Sequence, residues 1–127
     1  MPPALTSTNT LLDQVIGACY EVSNVLGPGF LEKLYERALF REIHLRQIPA
    51  QSQARFPVSY KDHIIGEYIA DLVVDDRLIL ELKCTDEFTP LHMAQCINYL
   101  KASRLKIALL VNFHKPKVAL KRIVLCL

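Results

Sequence analysis

Asp71, Glu81 and Lys83 interrupt two apolar runs, Tyr68-Ile69-Ala70-Asp71-Leu72-Val73-Val74 and Leu78-Ile79-Leu80-Glu81-Leu82-Lys83. Burying an unpaired carboxylate costs several kcal/mol, so charges seldom stand inside such runs without a reason. Side chains alternate faces along a strand, which puts Glu81 and Lys83 on the face that Leu80 and Leu82 avoid. Two carboxylates and a lysine on one sheet face are the parts a divalent-metal phosphodiesterase needs.

That chemistry depends on register. A two-residue loop at Asp75-Asp76 would pair Asp71 with Leu80 and turn it away from Glu81. A three-residue loop, Asp75-Asp76-Arg77, pairs Val74 with Leu78, Val73 with Ile79 and Asp71 with Glu81. Opposed positions hold their Cβ atoms about 5 Å apart. Carboxylates that close repel unless one is protonated or a cation lies between them. The competing reading is an exposed face with solvated charges.

The elements that must position these residues follow from periodicity. Thr10 and Asp13 resemble a capping box opening a helix to about Leu26, with Leu11, Val15, Cys19, Val22 and Leu26 as its buried stripe. Gly27-Pro28-Gly29 stops it. A second helix is expected from about Phe30 to Arg46, with Leu31, Leu34, Tyr35, Ala38 and Leu39 facing inward. From Ser52 the chain alternates, Ala54, Phe56, Val58 and Tyr60 against polar neighbours, and Pro57 marks a strand at an edge. Strands over Ile64–Val74 and Leu78–Lys83 complete a meander. Thr89-Pro90 opens a helix through Ala102. Lys106–Phe113 reads as a buried parallel strand and Ala119–Leu125 as a final edge strand. The order predicts an α/β fold: one compact domain over residues 10–127 after a short flexible lead, 1–9, with a mixed sheet made of an antiparallel meander, a crossover helix and a parallel strand.

The chain has 127 residues and a net charge of +2, which demands no strongly charged partner. Its distribution is uneven. Seven basic residues and no acidic ones lie from Lys101 to the end, a bias that fits either a phosphate-contacting face or a solubilising edge. Lys115 and Lys117 are the candidates there for holding a nucleic-acid backbone. Four cysteines without metal spacing read as buried, reduced thiols, pointing to a cytoplasmic protein. No apolar run approaches the length that spans a bilayer, so no membrane partner is expected.

The ordered set of motifs resembles the PD-(D/E)XK (restriction-endonuclease-like) nuclease superfamily, whose core carries an Asp on the second strand and a Glu-x-Lys on the third. Asp71 and Glu81-Leu82-Lys83 fit that pattern, with Ala70 in place of the proline. It is similar most of all to the GxxExxY branch: Gly29-Phe30-Leu31-Glu32-Lys33-Leu34-Tyr35 is that motif, and Tyr68-Ile69-Ala70-Asp71 and the Thr-Pro-x-His-x-x-Gln at 89–95 accompany it. Gln95 and Tyr99 also resemble the Gln-x-x-x-Tyr of RecB-like nucleases, on one helix face with His92.

The resemblance implies Mg²⁺- or Mn²⁺-dependent hydrolysis of a phosphodiester. Asp71 and Glu81 would be metal ligands, with the Leu82 carbonyl and Glu32 as further ones. Lys83 would orient the attacking water or stabilise phosphate charge, and Gln95 would assist at the phosphate or the water. His92 and Tyr99, with Lys115 and Lys117, would contact substrate, although packing roles remain open for His92 and Tyr99, and Tyr35 is expected to pack or position. The partner implied is nucleic acid, DNA ahead of RNA, with a homodimer or a protein partner left open. The alternative function is a nuclease-like domain without turnover that binds nucleic acid or a protein.

Overall fold

The computed structural model describes residues 7–125. Cys126 and most of the expected lead, residues 1–6, lie outside the described residues. Eight elements follow one another: α1 (Thr8–Leu26), α2 (Glu32–Leu45), β1 (Ala50–Tyr60), β2 (His63–Val74), β3 (Leu78–Lys83), α3 (Pro90–Ser103), β4 (Ile107–Asn112) and β5 (Ala119–Val124). The strands form one sheet in sequence order, β1-β2-β3-β4-β5. β3 and β4, joined through α3, are parallel, and the other pairs are antiparallel. This is the mixed α/β fold the sequence implies. Among the described residues no helix is long and apolar enough to cross a membrane.

Helices cover both sheet faces. On one, α1 and α2 bury Leu11, Val15, Tyr35, Leu39 and Ile43 against Leu72, Leu80, Leu82 and Val111. On the other, α3 buries Cys96, Tyr99 and Leu100 against Ala70, Val73, Ile79 and Leu110. The site residues of β2 and β3 therefore emerge between two packed layers, which hold the strand ends rigid.

Local chemistry sets the element ends. α1 starts earlier than the Thr10 box would place it. Extended Ser7 is the N-cap, its hydroxyl oxygen accepting the Thr10 N–H at 3.0 Å, so Thr10 lies within the first turn. Gly27 and Gly29, at φ 71° and 103°, take conformations that favour glycine and stop the helix. α2 in turn opens at Glu32. Leu31 and Leu34 are 76% and 43% exposed, not inward as expected. Tyr35 rotates the helix so that Tyr35, Glu36, Leu39 and Ile43 form its buried face. Its ring stacks on Phe113 at 4.7 Å, and its hydroxyl donates to the Gly27 carbonyl at 2.5 Å.

Tight turns fix the register of the meander. Lys61 and Asp62, both at positive φ, make the two-residue β1–β2 turn. Asp75, Asp76 and Arg77 make the three-residue β2–β3 loop, with Val74 paired to Leu78 and Val73 to Ile79. Arg77 N–H donates to the Val74 carbonyl at 3.0 Å, and its guanidinium clasps Asp75.

Candidate active site at the divergence of two strands

The β2–β3 ladder is three pairs long and ends at Leu72↔Leu80. At the next position, where Asp71 faces Glu81, side chains replace the ladder. The Asp71 N–H donates to Glu81 Oε1 at 2.9 Å, and the Leu82 N–H donates to Asp71 Oδ2 at 2.8 Å. Each carboxylate is thus pinned by a backbone donor of the neighbouring strand or residue, side by side at the point where the strands part. The even register sum read from the loop length is what brings them together.

A second irregularity meets the first at Asp71. The β1–β2 pairs Ser52↔Leu72 and Ala54↔Ala70 flank a gap where Gln53 faces Asp71. Gln53 has φ 54°, a left-handed conformation that costs a non-glycine residue on the order of 1–2 kcal/mol. Strict alternation would place Ala70 and Leu72 on one face. Instead Ala54 and Ala70 pack towards α3, whereas Leu72 packs towards α1 and α2. The faces switch at Gln53 and Asp71, so Asp71 stands at a pivot that strand parity does not reveal.

The pair is electrostatically strained. Glu81 is only 3% exposed. Burial first, and then the neighbouring Asp71 charge, push the Glu81 carboxyl up to about 8, against the pull of the Asp71 N–H and of Lys83. Burial likewise raises Asp71 to about 6, opposed by the Leu82 N–H, with Glu36 and Glu32 adding to the rise and Lys83 again lowering it. Among the described residues Asp71 Oδ1 and Glu81 Oε2 accept no hydrogen bond, and no fully buried side-chain polar atom lacks a partner, so both oxygens keep access to solvent. Two desolvated carboxylates with one open oxygen each suit a hard divalent cation, and Mg²⁺ commonly uses only one or two protein carboxylates. No group of three or more His, Cys, Asp or Glu stands together as a complete metal cage among the described residues.

The remaining sequence candidates take distinct positions. Glu32 opens α2, exposed, yet near enough to raise both carboxyls. The loop before it is latched by Tyr35, whose hydroxyl accepts the Phe30 N–H at 3.2 Å while donating to Gly27. In Gly29-x-x-Glu32-x-x-Tyr35, glycine supplies the turn, tyrosine ties it down and glutamate is presented at the sheet end. Lys83 shares a groove of about 450 Å³ with His92 and Gln95 of α3 and with Tyr68 of β2. The His92 Nδ1 accepts the Thr89 N–H at 3.2 Å in a capping box, so that ring edge is structural. Tyr99 is buried edge-on to Tyr68 at 5.0 Å, and burial beside Glu81 and Asp71 pushes its hydroxyl up. Leu82 buries its side chain under α1 and α2.

Lys115 and Lys117 are exposed on the β4–β5 loop, which leaves the sheet at the same end as Lys83 because β3 and β4 are parallel. That loop leans on α1 through the Ser23 hydroxyl, which donates to the Pro116 carbonyl at 3.4 Å. The basic C-terminal third does not form one face. Lys101 and Arg104 belong to a groove beside α3, while Lys121 and Arg122 lie on β5.

Glu36 escaped the sequence reading. It is 5% exposed and accepts from Lys33 Nζ at 3.1 Å and from Gln53 Nε2 at 3.1 Å. Its signal was an acid within the buried stripe of Tyr35, Leu39 and Ile43, one turn after Glu32.

The family profile of the PD-(D/E)XK nuclease superfamily matches residues 9–123. The chain belongs to that superfamily. Its solved structural relatives include the crystal structure of SSO0001, with a TM-score of 0.58 and 18% identity over 75% of this chain. The chain spans half (50%) of that protein's length. A second is an alkaline exonuclease (LHK-Exo) from Laribacter hongkongensis, with a TM-score of 0.55 and 13% identity over 97% of this chain and 72% of that one. At these identities the likeness is one of fold. No curated protein matches the sequence. PD-(D/E)XK nucleases generally use divalent metals.

Proposed function

We propose that this protein is a divalent-metal-dependent nuclease of the GxxExxY branch, hydrolysing phosphodiester bonds of nucleic acid, DNA ahead of RNA. The observation that carries the reading is the locked carboxylate pair. Asp71 and Glu81 take the place of ladder hydrogen bonds and keep one oxygen each open in a desolvated setting. Asp71, Glu81 and the Leu82 carbonyl would hold Mg²⁺ or Mn²⁺, with Glu32 as a further ligand from α2. The bound ion supplies Lewis acidity at a phosphate oxygen. Lys83, whose charge lies close to both carboxylates, orients the attacking water or stabilises charge on the phosphate. Gln95 and His92, across the shared groove from Lys83, hold the phosphate, and Tyr99 supports them by packing. Lys115 and Lys117 contact the backbone further along.

The functional unit in this reading is residues 10–127, preceded by a short lead, acting in the cytoplasm, alone or as a homodimer. A cleavage survey over single-stranded, duplex and branched DNA and RNA, with Mg²⁺, Mn²⁺ or EDTA, tests it. Metal-dependent shortening of at least one substrate is expected. Binding without cleavage in either metal would instead establish the domain as a non-catalytic binder.

A further inference from the structure

Two grooves lie side by side along α3. One of about 450 Å³ contains Lys83, His92 and Gln95, and one of about 460 Å³ contains Lys101, Arg104 and the β1 segment at Pro57 and Val58. Tyr68 and Asn98 line both. On α3, Leu91, Gln95, Asn98 and Lys101 recur at three or four, one side of the helix along about 15 Å of its axis. The β1–β2 hairpin forms the opposite wall. A trench thus runs from Lys83 to the end of α3.

We propose that this trench binds a single nucleic-acid strand leading to the site at Asp71, Glu81 and Lys83, with a base stacked on Tyr68 and phosphates on Lys101 and Arg104. The inference rests on the nuclease reading above and adds the path and strandedness of the substrate. Four observations carry it. The charge is one-sided: among the described residues Lys83, Lys101 and Arg104 line the trench and no Asp or Glu does. Nearby Glu67 is paired to Arg55 instead. The size fits, because each half has a volume in the small-molecule range, about 300–1,000 Å³, room for a nucleotide of a single strand. Tyr68 is half-buried at the junction, braced edge-on by Tyr99, a ring held in place for stacking. Lastly, Arg104 caps α3 at φ 64° and lines the groove there, which places a positive charge at the far end of the trench from Lys83.

The test is binding of a labelled oligothymidylate of about a dozen nucleotides, in EDTA so that nothing is cut, across a salt series. Lys101→Ala/Arg104→Ala is expected to lower the slope of log affinity against log salt by about 1.4, two single-strand phosphate contacts. Tyr68→Ala should weaken binding about tenfold, while Tyr68→Phe, which keeps ring and packing, should match the parent. Lys121→Ala/Arg122→Ala removes equal charge from β5 and should change the slope little. Equal losses from the two double variants, or a Tyr68→Phe loss as large as that of Tyr68→Ala, would overturn the trench. A parent that binds in this pattern but cuts nothing in Mg²⁺ or Mn²⁺ would sink the nuclease reading while leaving the trench assigned.

Discussion

Asp71 and Glu81 carry opposite burdens with and without a cation, and two predictions follow from their titration. Both carboxyls are raised in the folded state, to about 6 and about 8, above ordinary values of 3.8 and 4.5. The metal-free native state therefore retains protons that the unfolded chain releases. That contribution is complete below about pH 4 and is lost as pH rises through the folded values. The melting temperature of Asp71→Asn minus that of the parent, in EDTA, should grow from about pH 4 to about pH 8. A difference independent of pH would contradict the assigned strain. At neutral pH, millimolar Mg²⁺ or Mn²⁺ should raise the parent's melting temperature, since only the folded pair binds it, and should not raise that of Asp71→Ala. An equal shift in both proteins would place the cation elsewhere. The acid–acid–lysine trio was legible because charges inside apolar runs are conspicuous. Glu36 and Gln53 were not, since a glutamate on a helix and a glutamine on an edge strand look solvated until tertiary packing joins them.

At the level of elements, the three-residue β2–β3 loop decides the site. Asp75 and Asp76 both sit at positive φ, where aspartate is tolerated and glycine is free. Asp76 is exposed, so Asp76→Gly should stabilise the fold by up to about 1 kcal/mol, read as an upward shift in urea midpoint at unchanged slope. A fall in midpoint would mean that the Asp76 carboxylate itself anchors the loop. Loop length and strand parity narrowed the register to two alternatives, of which the structure takes the one that pairs Val74 with Leu78. They could not disclose the face switch at Gln53 and Asp71, because a left-handed glutamine breaks the alternation that parity assumes. The α2 stripe failed for a related reason. Leu31 and Leu34 satisfy helical spacing, but the Tyr35 latch on Gly27 sets the helix rotation and leaves them exposed. Tyr35→Phe removes that hydroxyl and should cost about 1 kcal/mol, measured by denaturant unfolding. An unchanged stability would mean that stacking on Phe113 alone sets the rotation.

Across the whole molecule, two helical layers leave the carboxyl ends of β3 and β4 open beside Asp71, Glu81, Lys83 and Glu32, and the Lys115–Lys117 loop leaves the sheet at the same end. Element order and alternating periodicity made that architecture readable in the sequence. The basic C-terminal third was visible too, but its division between the α3 trench, a loop and β5 depends on tertiary placement. If Lys115 and Lys117 contact phosphate, their joint replacement by Ala lowers both affinity for nucleic acid and the salt slope, by up to about one unit per contact. Parental binding by that variant would mark the loop as a solvated edge. The central claim is that the locked carboxylates and Lys83 hydrolyse a phosphodiester. Its most direct test is the Mg²⁺- or Mn²⁺-dependent cleavage rate of the parent beside Lys83→Ala on the same substrate. The parent is expected to cleave, and Lys83→Ala to do so at a rate about 100- to 1,000-fold lower, with the metal-induced rise in melting temperature retained. Equal rates in the two proteins, or no cleavage by the parent on any substrate, would contradict it.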